Sequence, residues 1–334
     1  MLLDFRTTRG INILNIGLIL ISCVIAFIIP FELFLFSYAV LGPLHYLTEI
    51  SWLHKQNYYT KGKYDFVFLI ILCIISTVGN LFLEDWQEWG IHAVFIGFVA
   101  SLIFVFLKDN YLKVLALFVL AFSAVIFEGN NFYYLFFAVF LPTLIHVFVF
   151  TFLFMWYGAI KSKSSSGYLS VIILMICAAS FFFISPGFGS KQLSEYVIKS
   201  YSDSFASVNY YLIDILKPGT FSGYDTDALN YIFTSDTGYR VMRFIAFAYT
   251  YHYLNWFSKT SVIKWHQVPK TRLILVGVLW IASLLLYAIS YKLGLHALYF
   301  LSLLHVYLEF PLNFVSFAGV GKQLSSALSI SKTA

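Results

Sequence analysis

The sequence predicts an all-α protein, a polytopic transmembrane helix bundle of about ten spans with both termini cytoplasmic. Two observations predict it. Of the 334 residues, 60% are hydrophobic and only 11% are charged, with a mean hydropathy of +0.82. A soluble globular chain carries about 25% charged and roughly 45–50% apolar residues. In addition, the basic residues fall unevenly on alternate connectors, as the positive-inside rule requires. The composition excludes a soluble domain, a disordered protein and a nucleic-acid binder, despite the net charge of +5.

A span needs about 20 mostly apolar residues. Ten stretches qualify: 11–30, 31–53, 66–83, 90–107, 112–128, 131–157, 168–186, 241–257, 272–290 and 295–318. The first is span-length and lacks a small-residue cleavage pattern, so it reads as an uncleaved signal anchor. The second carries Pro43, His45 and Glu49, and the sixth carries Pro142 and His146. The eighth is polar and aromatic around His252, and the tenth carries His305, Glu309, Pro311 and Asn313. Cys23, Cys73 and Cys177 lie inside apolar runs and read as small core residues. The 37 Phe, 24 Tyr and 7 Trp fit either a cavity for a long, flat substrate or an AT-rich genome with ordinary interfacial belts.

Orientation follows from the basic residues. A cytoplasmic N-terminus assigns fifteen Lys and Arg to the inner side, from Arg6 and Arg9 to Lys322 and Lys332, and six to the outer side. Glu84, Asp85, Glu88 and Glu128 then fall on outer connectors. The single integral-membrane domain spans 1–334, most simply in a bacterial cytoplasmic membrane. The outer segment 187–240 is too long for a turn, and two amphipathic stretches, Gln192–Tyr201 and Phe205–Leu216, predict interfacial helices there.

An ionisable group inside the hydrocarbon layer costs at least ~2.5–3.5 kcal/mol on insertion scales, so each asks for a reason. Only Glu49 and Glu309, of sixteen acids, sit well inside spans, and each follows a histidine by four residues: His45-x-x-x-Glu49 and His305-x-x-x-Glu309. That spacing puts both side chains on one helix face, and Asn313 extends the second stripe by a turn. His146 and His252 complete the set. In the predicted topology all four histidines lie roughly 8–20 Å from the cytoplasmic edge at 1.5 Å rise per residue. Four imidazoles and two carboxylates at one depth suit iron, zinc or manganese. The same inventory also suits a proton or ion path, or structural hydrogen bonding. Tyr249 and Asn255, on the turns flanking His252, are candidates to orient its ring. His92 and His296 read as interfacial, His54 and His266 as residues of inner connectors. His54 is a reserve ligand because it follows Glu49 by five. Pro43, Pro142 and Pro311 predict kinks that open space beside the cluster.

The segment Gly42-Pro43-Leu44-His45-Tyr46-Leu47-Thr48-Glu49 resembles the N-terminal Gly-x-Pro-His-Gly-x-x-Asp segment of the Brp/Blh membrane β-carotene dioxygenases. The proline is shifted by one, Tyr46 replaces a glycine and Glu49 stands for aspartate. A late His-x-x-x-His pair is missing. The resemblance covers about eight residues and implies an iron held by histidines on transmembrane helices, with His45 among them.

The expectation is a membrane-embedded non-haem metal oxygenase, most simply of iron, with dioxygen as co-substrate. It would act on a hydrophobic isoprenoid, carotenoid or lipid entering from the bilayer. His45, His146, His252 and His305 are the expected ligands. Glu49 and Glu309 complete the shell or act as catalytic carboxylates that hydrogen-bond the imidazoles. Two other classes stand beside it: a proton- or cation-coupled transporter using Glu49 and Glu309, and a zinc-dependent membrane hydrolase. Protein partners are not legible.

Overall fold

The computed structural model describes residues 7–83, 87–127, 129–184, 193–259, 264 and 267–331. Arg6, Glu84, Asp85, Glu128, Lys191, His266 and Lys332, and with them residues 187–192 of the predicted outer segment, lie outside the described residues. The described residues are 87% helical and contain no strand.

In chain order the helices are α1 (Thr8–Ile28), α2 (Pro30–Phe36), α3 (Gly42–Lys55), α4 (Asp65–Leu81), α5 (Gln87–Phe106), α6 (Asn110–Ile126), α7 (Asn131–Tyr134), α8 (Thr151–Ser162), α9 (Ser165–Phe183), α10 (Glu195–Ser202), α11 (Ala206–Leu216), α12 (Thr226–Thr234), α13 (Asp236–Ser258), α14 (Lys270–Ile289) and α15 (Tyr291–Ser331). Two π-helical stretches, Ser37–Leu41 and Leu135–Phe150, join α2 to α3 and α7 to α8. Among the described residues, seven helical runs are long and apolar enough to cross a membrane: α1, Pro30–Lys55, α5, Asn131–Ser162, α9, α14 and Tyr291–Gln323. Shorter apolar helices, α4 and α6, accompany them. Many large apolar side chains point outward, among them Phe118, Phe122 and Ile126 on α6 and Ile274, Val278 and Leu285 on α14. An outer surface of this kind is stable only against hydrocarbon.

The chain packs as two compact units, Met1–His45 with Val147–Leu295 and Tyr46–His146 with His296–Ala334. In the first, α13 is the central pillar and packs against α1, α2, α9, α11 and α12. It is too polar to count among the apolar runs, and protein surrounds it: Val241 through Tyr253, Phe244 apart, are buried. Several of its polar side chains are answered locally. Asn15 of α1 accepts hydrogen bonds from Tyr251 (3.1 Å) and Ser258 (3.0 Å), and Ser37 bonds Thr250 at 2.8 Å.

The described part of the segment 187–240, residues 193–240, holds three helices before α13 where two were expected. α10 and α11 occupy the two amphipathic stretches, and α12 follows, with Asp225 capping its start by accepting from the Ala228 N–H. These helices cover the first unit: α10 packs on α2, and α11 on α13 and α12.

In the second unit, α4 pairs with α5, and α5 with α6. Gly97 on α5 is required by packing, because a Cβ there would land on the ring of Tyr307. That approach seats Tyr307 so that its hydroxyl meets Ser76 of α4 at 2.6 Å. Lys113 of α6 reaches Asp65 at the start of α4, 2.6 Å away and almost wholly out of water. α15 is thereby held at Tyr307, two residues after His305 and two before Glu309.

Candidate metal site

In the first unit, His45 enters from the start of α3. The preceding π turn ends where the Gly42 N–H reaches back five residues to Ser37 O, and Pro43 removes the next donor. A widened turn of this kind is frequent at functional sites. The His45 ring packs on the aromatic face of α13, with centroids 4.6 Å from His252, 5.1 Å from Tyr253 and 5.7 Å from Trp256. The two imidazoles meet Nε2 to Nε2 at 3.1 Å. The far nitrogen of His252, Nδ1, bonds Thr151 Oγ1 at 2.8 Å.

The second unit repeats the device. His146, in the π stretch that contains Pro142, meets His305 of α15 Nε2 to Nε2 at 3.2 Å. The far nitrogen of His146 faces Glu309 Oε2, also at 3.2 Å. Glu49 interacts electrostatically with both His305 and Glu309, and the ring of Tyr46 lies 5.7 Å from that of His305. His45, His146, His252, His305, Glu49 and Glu309 are each at most 7% exposed.

Two imidazoles that face each other through Nε2 can share a single proton or a single cation. At metal–nitrogen distances of about 2.0–2.1 Å, nitrogens 3.1–3.2 Å apart subtend an angle of about 100° at an ion. That angle suits a tetrahedral or a cis-octahedral pair. A carboxylate on Nδ1 keeps the proton there and leaves the Nε2 lone pair for a ligand bond, which is the position Glu309 holds toward His146. Each pair, His45 with His252 in the first unit and His146 with His305 in the second, offers two buried imidazole nitrogens to such an ion.

The remaining sequence candidates fall as follows. Tyr249 packs among aromatic rings, 4.9 Å from Phe34 and 6.1 Å from Tyr38. Asn255 is buried, with no hydrogen-bond partner at Oδ1, and Asn313 is fully buried with neither amide atom bonded. His54 bonds Tyr58 through Nδ1 at 3.0 Å. His92 is buried, its Nδ1 2.8 Å from the Tyr133 hydroxyl. Thr151 was not foreseen. Its one signal is that Thr143 and Thr151 are the only hydroxyls between residues 135 and 154.

Near His92 the second unit holds a cavity of about 250 Å³ whose walls include Phe95, Phe127, Asn130, Tyr133, Phe136 and Phe137. It is almost entirely aromatic. Phe137 lies nine residues before His146 on the same helical run.

Comparison of the chain with protein-family models, curated proteins and solved structures finds no match. What fold and site define is a class: an all-α membrane protein with buried pairs of histidines that could bind metal.

Proposed function

We propose that the protein is an integral-membrane non-haem iron oxygenase acting on a hydrophobic isoprenoid, carotenoid or lipid chain. The observation that carries this reading is the repeated pairing of buried imidazoles through Nε2, His45 with His252 and His146 with His305. His45 with His252, and His146 with His305, are the proposed metal ligands, for one ion or two. Glu309 holds His146, Thr151 holds His252, and Glu49 balances charge beside His305. Iron in such a site supplies dioxygen binding at an open position. The chain's own residues exclude water, fix the imidazole tautomers and offer carboxylates to accept protons. The short resemblance of Gly42–Glu49 to the Brp/Blh dioxygenases and the aromatic cavity near Phe137 support an extended, unsaturated substrate.

The proposed topology has ten spans, with α4, α6 and α13 added to the seven long apolar runs. Both termini are cytoplasmic and the setting is a bacterial cytoplasmic membrane. The fifteen-to-six division of Lys and Arg supports that orientation.

Metal analysis of the purified protein beside His45→Ala and His305→Ala tests the site. Stoichiometric iron in wild type, one equivalent or two, lost in both variants, is the expected result. Stoichiometric zinc turns the reading to a hydrolase. If no metal is retained after reconstitution under reducing conditions, the proposal fails and proton-coupled transport through Glu49 and Glu309 takes its place.

A further inference from the structure

Arg243 lies in the second turn of α13, in the first unit, and is 4% exposed. Its guanidinium sits over two rings, 5.6 Å from the centroid of Phe27 and 5.8 Å from that of Tyr239. Rings engage the face of a guanidinium and leave its in-plane N–H donors unused. Nε of Arg243 has no hydrogen-bond partner, and among the described residues no carboxylate forms an ion pair with it, although Asp236 acts on it electrostatically. The nearest acid on its own helix, Asp236, is committed to Arg240 at 2.7 Å. Glu32 of α2 acts electrostatically on Tyr239.

Tyr239 precedes Arg243 by four residues, so the two side chains share a helix face. Its hydroxyl is also buried without a partner. A buried cation and a buried phenol, adjacent and both with unused donors, form the donor half of an oxyanion site. Native chains seldom leave such groups unanswered.

We propose that Arg243 and Tyr239 bind the carboxylate or phosphate group of an anionic amphiphile. Arg243 supplies the planar fork and Tyr239 an O–H donor. The hydrocarbon tail lies along the apolar surface at the same end of the unit, where Val24 and Ile28 of α1 and Phe183 and Ile184 of α9 are exposed. α9 and α13 are joined there by the Arg240 guanidinium, which donates to the Phe182 carbonyl. The site is independent of the histidines and of the oxygenase reading.

Native mass spectrometry of the full chain in detergent tests it, with oleate, dioleoyl phosphatidic acid and inorganic phosphate as separate probes and dioleoyl phosphatidylcholine as control. Wild type retains one oleate or phosphatidic acid. Arg243→Met weakens retention about tenfold, Tyr239→Phe and Arg243→Lys severalfold, and metal content does not change. A rise in Tm with phosphate alone, absent in Arg243→Met, assigns the site to an aqueous anion of the same chemistry. Equal retention by wild type, Tyr239→Phe and Arg243→Lys overturns the proposal, as does failure of every anionic probe to bind. The two conservative variants decide the matter if Arg243→Met does not fold.

Discussion

Glu309 Oε2 lies 3.2 Å from Nδ1 of His146, while the opposite nitrogen of that ring faces His305 Nε2 at the same distance. One imidazole therefore has a proton acceptor on one edge and a second imidazole on the other. In the proposed metal site the carboxylate would hold the proton on Nδ1 and leave Nε2 to bind the ion.

Glu309→Gln is expected to weaken metal binding by about 10–100-fold, the usual effect of losing an outer carboxylate partner. The amide can still accept through one oxygen, but it carries no charge to hold the imidazole proton. Competition with a chromogenic chelator measures the change. Unaltered affinity would show that Glu309 does not set the tautomer.

Thr151→Val keeps the shape of the side chain and removes the 2.8 Å bond to His252 Nδ1. A loss of about 1 kcal/mol in stability is expected, with metal affinity reduced about tenfold or more. Thr151→Ser, which retains the hydroxyl, should restore most of both. If Val and Ser variants bind metal equally, the hydroxyl has no orienting role.

Gly97→Ala places a methyl group against the ring of Tyr307. Overpacking of this kind costs about 1–3 kcal/mol. The displaced residue lies between His305 and Glu309 on α15, so the thermal midpoint and the metal content should fall together. Tyr307→Leu in the same background removes the clash and should recover part of the stability. A wild-type melting curve for Gly97→Ala would refute the close packing.

Lys113→Met strands Asp65, which is only 12% exposed, as an unpaired carboxylate. Breaking a buried pair from one side costs about 3–5 kcal/mol. The double variant with Asp65→Asn should be markedly more stable than Lys113→Met alone. Unfolding in detergent, followed for all three proteins, gives the coupling; simple additivity would mean that the pair contributes nothing.

The helical membrane character and the buried histidines and carboxylates were legible because their signals are local. A charge fraction of 11% leaves no alternative to a lipid-facing bundle, and two carboxylates one turn after a histidine stand out where nothing else is ionisable. His146 and His252 were legible for the same reason. Thr151 was not, because a single hydroxyl in a span looks like a helix-satisfied threonine, as Thr143 is, bonded to the carbonyl of Val139. Asn255 follows His252 by three residues, yet the contact with Nδ1 is made by Thr151, from a different helix. α12 escaped notice because nine residues with a mixed surface resemble a loop until they pack on α13.

Composition and four-residue spacing, read from the sequence alone, determine that this is an α-helical membrane protein with histidine and glutamate stripes facing inward. Only the tertiary structure decides which nitrogen meets which partner. Spacing along one helix places side chains on a face. The pairing of His45 with His252 and of His146 with His305 is set by packing of helices far apart in the chain. That packing depends on side-chain volumes summed over many residues, such as the Tyr307 ring in the notch at Gly97, and no local pattern encodes it.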